Sequence, residues 1–184
     1  MNLNGWEIDL ESLLGPERGT PPLLYFTDAV YPSPDDAYAV LLYSITEIRM
    51  GWDVGRFALF TDRERPRLIE NPEGFLCCHT DDSVIWLSNE LFATRKLYYD
   101  SSTRKSNIPF TLVDLARNEY SFIPQVNSYP YGLVFDGATV KLVERRRDPR
   151  FPSRDGERHK LQDLPWYRLS QLEDFDKHYA DYAK

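Results

Sequence analysis

Apolar residues along most of the chain occur in short runs bounded by turn residues. Between residues 37 and 145 these β-branched and aromatic runs recur about every 8–12 positions, which is typical of sandwiches, barrels and propeller-like sheets. Because the connections are short, consecutive runs are expected to pair as antiparallel strands. The predicted strands are Tyr38–Ile48, Gly55–Thr61, Arg67–Glu70, Phe75–His79, Val84–Ser88, Leu91–Tyr99, Ile108–Leu115, Tyr120–Ile123, Leu133–Phe135 and Thr139–Glu144.

The clearest hairpin is predicted at Asp136-Gly137, between the last two of these strands. A two-residue type I′ turn requires positive φ at both central positions, and Asp followed by Gly meets that requirement. The fold class is therefore mainly β, with about ten antiparallel strands. A sandwich, an open barrel and a partial-propeller-like arrangement all fit this pattern.

Near the C-terminus the apolar spacing changes and predicts an amphipathic helix over Gln171–Tyr182. Ser170 and Glu173 have the spacing of a capping box at its start. The apolar stripe consists of Leu172, Phe175, Tyr179 and Tyr182. A stripe of this kind packs on its own domain or enters a groove of another chain, and the first arrangement is the commoner one.

The chain is predicted to form a single domain, 1–184, because its length suits one core. In the N-terminal segment, 1–22, the spacing of Leu10, Leu13 and Leu14 favours one or two helical turns. The other predicted parts are a β body over 23–145 that begins with a strand at Leu23–Phe26, a polar linker over 146–163, and a helical segment over 164–184.

The stretch 144–160 is rich in charge and broken by proline, without hydrophobic periodicity, so we predict a loop there. It contains seven Lys or Arg and four Asp or Glu, a net charge of +3. The remainder of the chain must then carry −10, since the total is −7. Arg145, Arg146 and Arg147 form either an anion-binding patch or a solvated face balanced by neighbouring acids, and the second interpretation is favoured.

Composition excludes several classes of protein. A net charge of −7 argues against general nucleic-acid binding and favours a basic partner. No apolar run approaches the ~20 residues of a membrane-spanning helix, and the N-terminal residues do not have the pattern of a secretory signal. The two cysteines, Cys77 and Cys78, are adjacent, which rules out a disulfide framework and fits a reducing compartment. The cytoplasm is the expected location.

Two segments of the chain echo each other. Residues 35–42 align with residues 81–88, each an acidic turn that leads into an apolar strand. Downstream, residues 57–60 and 110–113 occupy similar places, so the repeating unit would be about 50 residues long. Duplication of a meander and chance recurrence of a common turn-strand pattern are equally compatible with this echo.

Residues 33–40, Ser-Pro-Asp-Asp-Ala-Tyr-Ala-Val, resemble the Ser-Pro-Asp-Gly-x-Tyr-Ala-Val opening of blades in TolB-type β-propellers. Asp36 stands where the blades have Gly, and the second segment, Thr-Asp-Asp-Ser at 80–83, has no Pro. The resemblance implies blade-like meanders and a protein-binding role, which is common in that family. It does not imply a closed ring, which needs at least about four blades.

Candidate catalytic and metal-binding groups are few. Cys77, Cys78 and His79 are adjacent, but a structural zinc site needs four ligands and there is no second Cys/His cluster, so neither a metal nor a cofactor is predicted. The nucleophile-elbow, Walker and Gly-x-Gly-x-x-Gly motifs are also absent from the sequence. The catalytic alternative is a small hydrolase that uses His79 with Asp81 or Asp82.

Side chains suited to protein binding are more frequent than candidate catalytic groups, because aromatic and acidic residues occur at the predicted connections. Tyr, Trp and Arg are enriched at interface hot spots, and acidic groups steer the approach of a basic partner. The predicted partner-binding residues are Asp35, Asp36, Trp52, Asp53, Tyr129 and Tyr131.

The sequence therefore favours a non-catalytic, cytoplasmic protein-binding module, such as an immunity or inhibitor protein that neutralises a basic toxin. The hydrolase is the first alternative. The second is an RNA or anion contact through Arg145–Lys160, for which a steep salt dependence is expected.

Overall fold

The computed structural model consists of a large antiparallel sheet with a smaller sheet on one face and a helical segment on the other. It describes residues 2–3, 6–7, 30–49, 52–60, 75–78, 84–101, 103–123, 131–144 and 154–182. The predicted fold class, mainly β and antiparallel with a C-terminal helix, is confirmed.

The described residues form sixteen strands and three helical segments. The strands are β1 (Asn2–Leu3), β2 (Trp6–Glu7), β3 (Val30–Pro32), β4 (Ala39–Arg49), β5 (Trp52–Phe60), β6 (Phe75–Cys78), β7 (Ile85–Trp86), β8 (Leu91–Lys96), β9 (Tyr98–Asp100), β10 (Lys105–Asn107), β11 (Phe110–Asp114), β12 (Glu119–Ile123), β13 (Tyr131–Phe135), β14 (Thr139–Glu144), β15 (Arg154–Lys160) and β16 (Tyr167–Arg168). The helical segments are the 3-10 helices Leu161–Asp163 and Leu169–Asp174 and the α-helix α1 (Phe175–Tyr182). No helix in these parts of the chain is long and apolar enough to cross a membrane.

The large sheet has the order β16-β12-β11-β8-β6-β5-β4-β3, and β7 also pairs with β8. Consecutive strands pair as antiparallel neighbours from β3 to β6, as predicted. In contrast, β8 pairs with β11, because β9 and β10 form a separate hairpin between them. The smaller sheet has the order β13-β14-β15.

The central strands of the large sheet are buried on both faces. In β8, Phe92 belongs to one apolar cluster, whereas Leu91 and Ala93 belong to another. Successive side chains of a strand point to opposite faces, so the two clusters lie on opposite sides of the sheet. Residues 169–182, called the C-terminal element below, cover the Phe92 side. Val140 and Leu142 of the smaller sheet cover the other side.

The prediction of one strand over Leu91–Tyr99 was wrong. The Lys96 N–H donates to Pro109 O, and the chain then leaves the large sheet at Leu97. The strand predicted at Val84–Ser88 is also shorter, since only Ile85 and Trp86 pair with β8.

The hairpin at Asp136-Gly137 is confirmed, but its predicted turn type is wrong. Gly137 has φ of +95°, whereas Asp136 is not among the described residues with positive φ. A positive φ at the first central position alone fits the type II′ pattern. Asp136 instead precedes the turn, and its carboxylate accepts from the N–H groups of Ala138 (3.1 Å) and Thr139 (2.7 Å).

The prediction that 146–163 is a loop was wrong for its second half, because Arg154–Lys160 is β15. An outer strand can be highly charged, since one of its edges and one of its faces lie in solvent. A bulge at Leu142 brings Gly156 so close that a Cβ there would be 2.7 Å from Leu142 O. Periodicity did not reveal this strand because its pairing depends on backbone hydrogen bonds rather than on an apolar stripe.

The predicted helix start at Gln171, with a capping box at Ser170, was also wrong. A 3-10 helix begins at Leu169, its N-cap residue Arg168 makes no side-chain capping bond, and Ser170 lies within it. The backbone is not helical at Gln171, between Leu169 and Leu172, and both leucines are buried in the same apolar cluster. From Phe175 the four-residue spacing to Tyr179 suits α1 instead.

Some predicted features lie outside the described residues. These are the helical turns at Leu10–Leu14 and the strands at Leu23–Phe26 and Arg67–Glu70. The proposed duplication stays a prediction, since most of the turn that echoes Asp35-Asp36 also lies outside them. The strands that follow the two turns differ in length, with 11 residues in β4 and two in β7.

A buried hydroxyl in the middle of the sheet gives a stability prediction. Thr111 is fully buried, and its Oγ1 has no hydrogen-bond partner among the described residues. Replacing Thr111 with Val removes this group at nearly constant shape and should stabilise the fold by about 1 kcal/mol. Thr111→Ser keeps the hydroxyl and loses a methyl group, so it should destabilise by about 1 kcal/mol. Urea unfolding measures both changes, and a destabilising Thr111→Val would contradict the assignment.

Candidate functional site

The turn that contains Asp35 and Asp36 is held by its own side chains. Asp35 Oδ1 accepts from Ser33 Oγ at 2.7 Å and from the Ala37 N–H at 3.2 Å. Ser33 Oγ in turn accepts from the Tyr38 N–H at 3.0 Å. The hydrogen bond from Ser33, followed by that from Ala37, lowers the pKa of Asp35. This carboxylate therefore shapes the turn, although its side chain is exposed.

Asp36 has φ of 63°, in the left-handed region that favours glycine. This is the position where TolB-type blades have Gly. Asp tolerates this conformation better than most residues do.

The sequence predicted a turn at Trp52 and Asp53, but the two residues lie at the start of β5. Their backbones pair with β6, with Trp52 opposite Cys78 and Asp53 opposite Cys77. The end of β6 leads directly to His79. The sheet therefore places Trp52 and Asp53 beside the last two residues of β6.

The predicted partner-binding residues do not form one surface. Asp35 and Asp36 precede the end of β4 that pairs with Phe60, whereas Trp52 pairs with Arg49 at the other end. β4 has 11 residues, and at about 3.3 Å per residue its ends are about 30 Å apart. A compact epitope cannot include both pairs.

Of the other predicted site residues, the structure describes Tyr131. Tyr131 begins β13 in the smaller sheet. The remaining candidates lie outside the described residues and stay predictions; they are His79, Asp81, Asp82, Tyr129, Arg145, Arg146 and Arg147.

The C-terminal element is the segment whose contacts with the sheet are best defined. Phe175 contacts Phe122 edge-on, with 5.6 Å between ring centroids, and stacks with Tyr120 at 5.9 Å. Tyr179 contacts Phe122 at 5.2 Å and Tyr98 at 4.8 Å. Phe175 and Tyr179 are almost completely buried, so this part of the apolar stripe completes the core, whereas Tyr182 at its end is 39% exposed.

A buried lysine joins this element to the sheet. Lys96, at the end of β8, has a side chain only 5% exposed, and its Nζ lies 2.5 Å from Asp176 Oδ1. The ammonium group also lies over the Phe175 ring, 5.0 Å from its centroid. Asp176 is in the first turn of α1, where a negative charge also interacts favourably with the helix dipole.

A tyrosine and a histidine form a second polar link. The Tyr120 hydroxyl donates to Gln171 O at 3.2 Å and lies 2.8 Å from His178 Nδ1. The tautomer of His178 sets which of the two groups donates in the second bond. The His178 ring stacks on Tyr167 at 4.0 Å. Burial, with smaller effects of Tyr167, Asp174 and Asp176, raises the pKa of Tyr120, so this hydroxyl is a structural donor rather than a base.

The outer side of the C-terminal element is acidic. Four exposed carboxylates, called the acidic surface below, belong to Glu173, Asp174, Asp176 and Asp181. Lys177 is the exposed basic residue among them, and Tyr182 beside Asp181 is 39% exposed. Burial and then the charge of Asp181 raise the pKa of Tyr167.

In the parts of the chain that the structure describes, no group of three or more His, Cys, Asp or Glu is arranged to hold a metal ion. Of the sequence candidates, Cys77 and Cys78 end β6, and His79 lies beyond the described residues.

The acidic surface was not among the predicted site residues. The amphipathic pattern had indicated its charged side, because Glu173, Asp174 and Asp176 fall opposite the apolar stripe. Lys96 gave no signal of its role, since a lysine at the end of an apolar run is usually solvated.

Comparison of the chain with protein-family models, curated proteins and solved structures finds no match in any of the three. The resemblance to TolB-type blades therefore stays a prediction.

The Lys96–Asp176 pair gives an asymmetric stability prediction. Asp176→Asn leaves a buried ammonium without its counter-ion and should destabilise the fold by about 1–2 kcal/mol, less than for a fully buried pair because Asp176 is partly exposed. Lys96→Met leaves a carboxylate that water can solvate, so its effect should be smaller, under about 1 kcal/mol.

Urea unfolding at neutral pH measures both variants. In the Lys96→Met background, Asp176→Asn should lose most of its effect, since the two substitutions act on one interaction. Equal effects of Asp176→Asn in the two backgrounds would contradict the pairing.

Proposed function

We propose that the chain is a non-catalytic protein-binding module that binds a basic partner through its acidic surface. The observation that carries this proposal is the concentration of Glu173, Asp174, Asp176 and Asp181 on the outer side of one short element. In a chain of net charge −7, these groups steer a cationic protein toward that element.

Rigid support favours recognition at this surface. Asp176 is held by Lys96, and the rings of Phe175 and Tyr179 are packed on the sheet. Carboxylates on a docked helix lose less conformational freedom on binding than carboxylates on a mobile loop. Exposed Tyr182 adds an amphipathic ring at the rim, and tyrosine is enriched at protein interfaces.

The class of partner follows from these charges. A basic surface such as the active site of a toxin that acts on nucleic acid is complementary to four clustered carboxylates. An immunity or inhibitor protein of the cytoplasm is the example of this function that fits the sequence best. Occupation of such a site by carboxylates would block the binding of phosphate groups.

Capture from native lysate tests the proposal with a charge-reversed variant. Wild type should retain a basic protein at low salt and release it at high salt. Glu173→Lys combined with Asp174→Lys should weaken binding roughly tenfold or more, because attraction becomes repulsion.

The matched control reverses Glu90 and Asp163, two exposed acidic residues outside the C-terminal element. This control has the same net charge as the test variant and should retain the partner. Capture of no protein at low salt across growth states, or equal binding by test and control variants, would contradict the proposal.

A further inference from the structure

The outer face of the smaller sheet has the opposite charge to the acidic surface. In β14, Val140 and Leu142 are buried, so Lys141 between them points outward. Lys141 pairs directly with Arg158 of β15, and Lys160 follows two residues later on the same side. Arg158 and Lys160 are exposed. We call Lys141, Arg158 and Lys160 the basic face.

This cluster is unusual for an acidic chain. Like charges directly opposite each other on neighbouring strands are destabilising, yet Lys141 and Arg158 occupy such a pair. The acidic neighbour at the turn, Asp136, accepts hydrogen bonds from Ala138 and Thr139. Hydrogen bonds from these two residues, and more weakly the charge of Arg158, lower the pKa of Asp136.

An apolar residue lies within the basic face. Val134 of β13 pairs with Lys141, so Val134, Lys141 and Arg158 form one row across the three strands. Val134 is 54% exposed, one of three large apolar or aromatic side chains that are exposed in the described residues. Tyr182, beside the acidic surface, is another. Each charged surface therefore has an exposed apolar side chain next to it.

The two charged surfaces lie on opposite sides of the molecule. The C-terminal element packs on the Phe92 side of the large sheet, and the smaller sheet packs on the Leu91 and Ala93 side. In a two-fold dimer, both surfaces of each copy would have to face the other copy at once. Surfaces on opposite sides of the molecule cannot do so. Contact between them relates successive copies head to tail, which gives a ring or an open chain of subunits.

We propose that the acidic surface of one copy of this chain docks on the basic face of a second copy. The two surfaces carry opposite charge: Glu173, Asp174, Asp176 and Asp181 with Lys177 and Lys96 sum to −2, and Lys141, Arg158 and Lys160 with Asp136 sum to +2. Exposed ion pairs contribute little individually, so the contact is weak and sensitive to salt. This inference uses the surface assigned above to partner binding, and it implies that self-association competes with the partner.

Sedimentation velocity over a range of protein concentrations tests the inference. Wild type should associate at about 0.01 M salt, where the Debye length is about 30 Å, and dissociate near 1 M, where it is about 3 Å. The basic-face variant Lys141→Glu/Arg158→Glu and the acidic-surface variant Glu173→Lys/Asp174→Lys should each stay monomeric alone.

Mixing those two variants is the most specific step, because each variant retains the surface that the other has lost. The equimolar mixture should associate at low salt, while neither variant does so by itself. The control Arg104→Glu/Arg168→Glu changes two other exposed basic residues by the same charge and should associate like wild type.

Three results would overturn the inference: a wild-type protein that is monomeric at every concentration in low salt, association that persists in either single-surface variant, or a mixture that does not associate. The basic-face variant retains the acidic surface, so its capture of a basic partner separates the two proposals. If wild type stays monomeric and this variant still binds the partner, self-association is wrong and the proposed function stands.

Discussion

Burial of the large sheet on both faces is the constraint on which the rest of the structure depends. Its central strands present Phe92, Val113 and Phe122 on one side and Leu91, Ala93, Leu112 and Ile123 on the other. Neither side can be left in water, because each apolar side chain that stays exposed forfeits about 1.5–3 kcal/mol of burial energy. The C-terminal element and the smaller sheet satisfy these two requirements separately, and the charges that each carries outward follow from that arrangement.

The polar contacts of the C-terminal element fix its position more than they strengthen it. Lys96 reaches Asp176 from beneath, and the Tyr120 hydroxyl bonds to Gln171 and His178. Each such contact contributes on the order of 1 kcal/mol, less than the burial of the Phe175 and Tyr179 rings. Their value is geometric, since they define which side of α1 faces solvent and so where Glu173, Asp174 and Asp181 lie.

The sequence predicted features that repeat along the chain, namely the strand runs, the hairpin at Gly137 and the stripe of α1. It did not predict features set by tertiary contacts. The high charge of β15 gave it no apolar pattern that would indicate a strand. The helical segment that begins at Leu169 depends on the packing of Leu169 and Leu172 on the sheet, and Lys96 is buried because α1 covers it. Strand pairing also separates Asp36 and Trp52, which are 16 residues apart in the chain but lie toward opposite ends of β4.

The C-terminal element is part of the core and presents the acidic surface from a fixed position. Native-state hydrogen exchange of the α1 amides tests this placement most directly, since amides in a docked helix open only with the structure that covers them. We expect the amides of Tyr179 and its neighbours in α1 to exchange at rates within about tenfold of those of β8 and β12. Exchange near the rate of an unprotected chain, with the sheet still protected, would contradict the account.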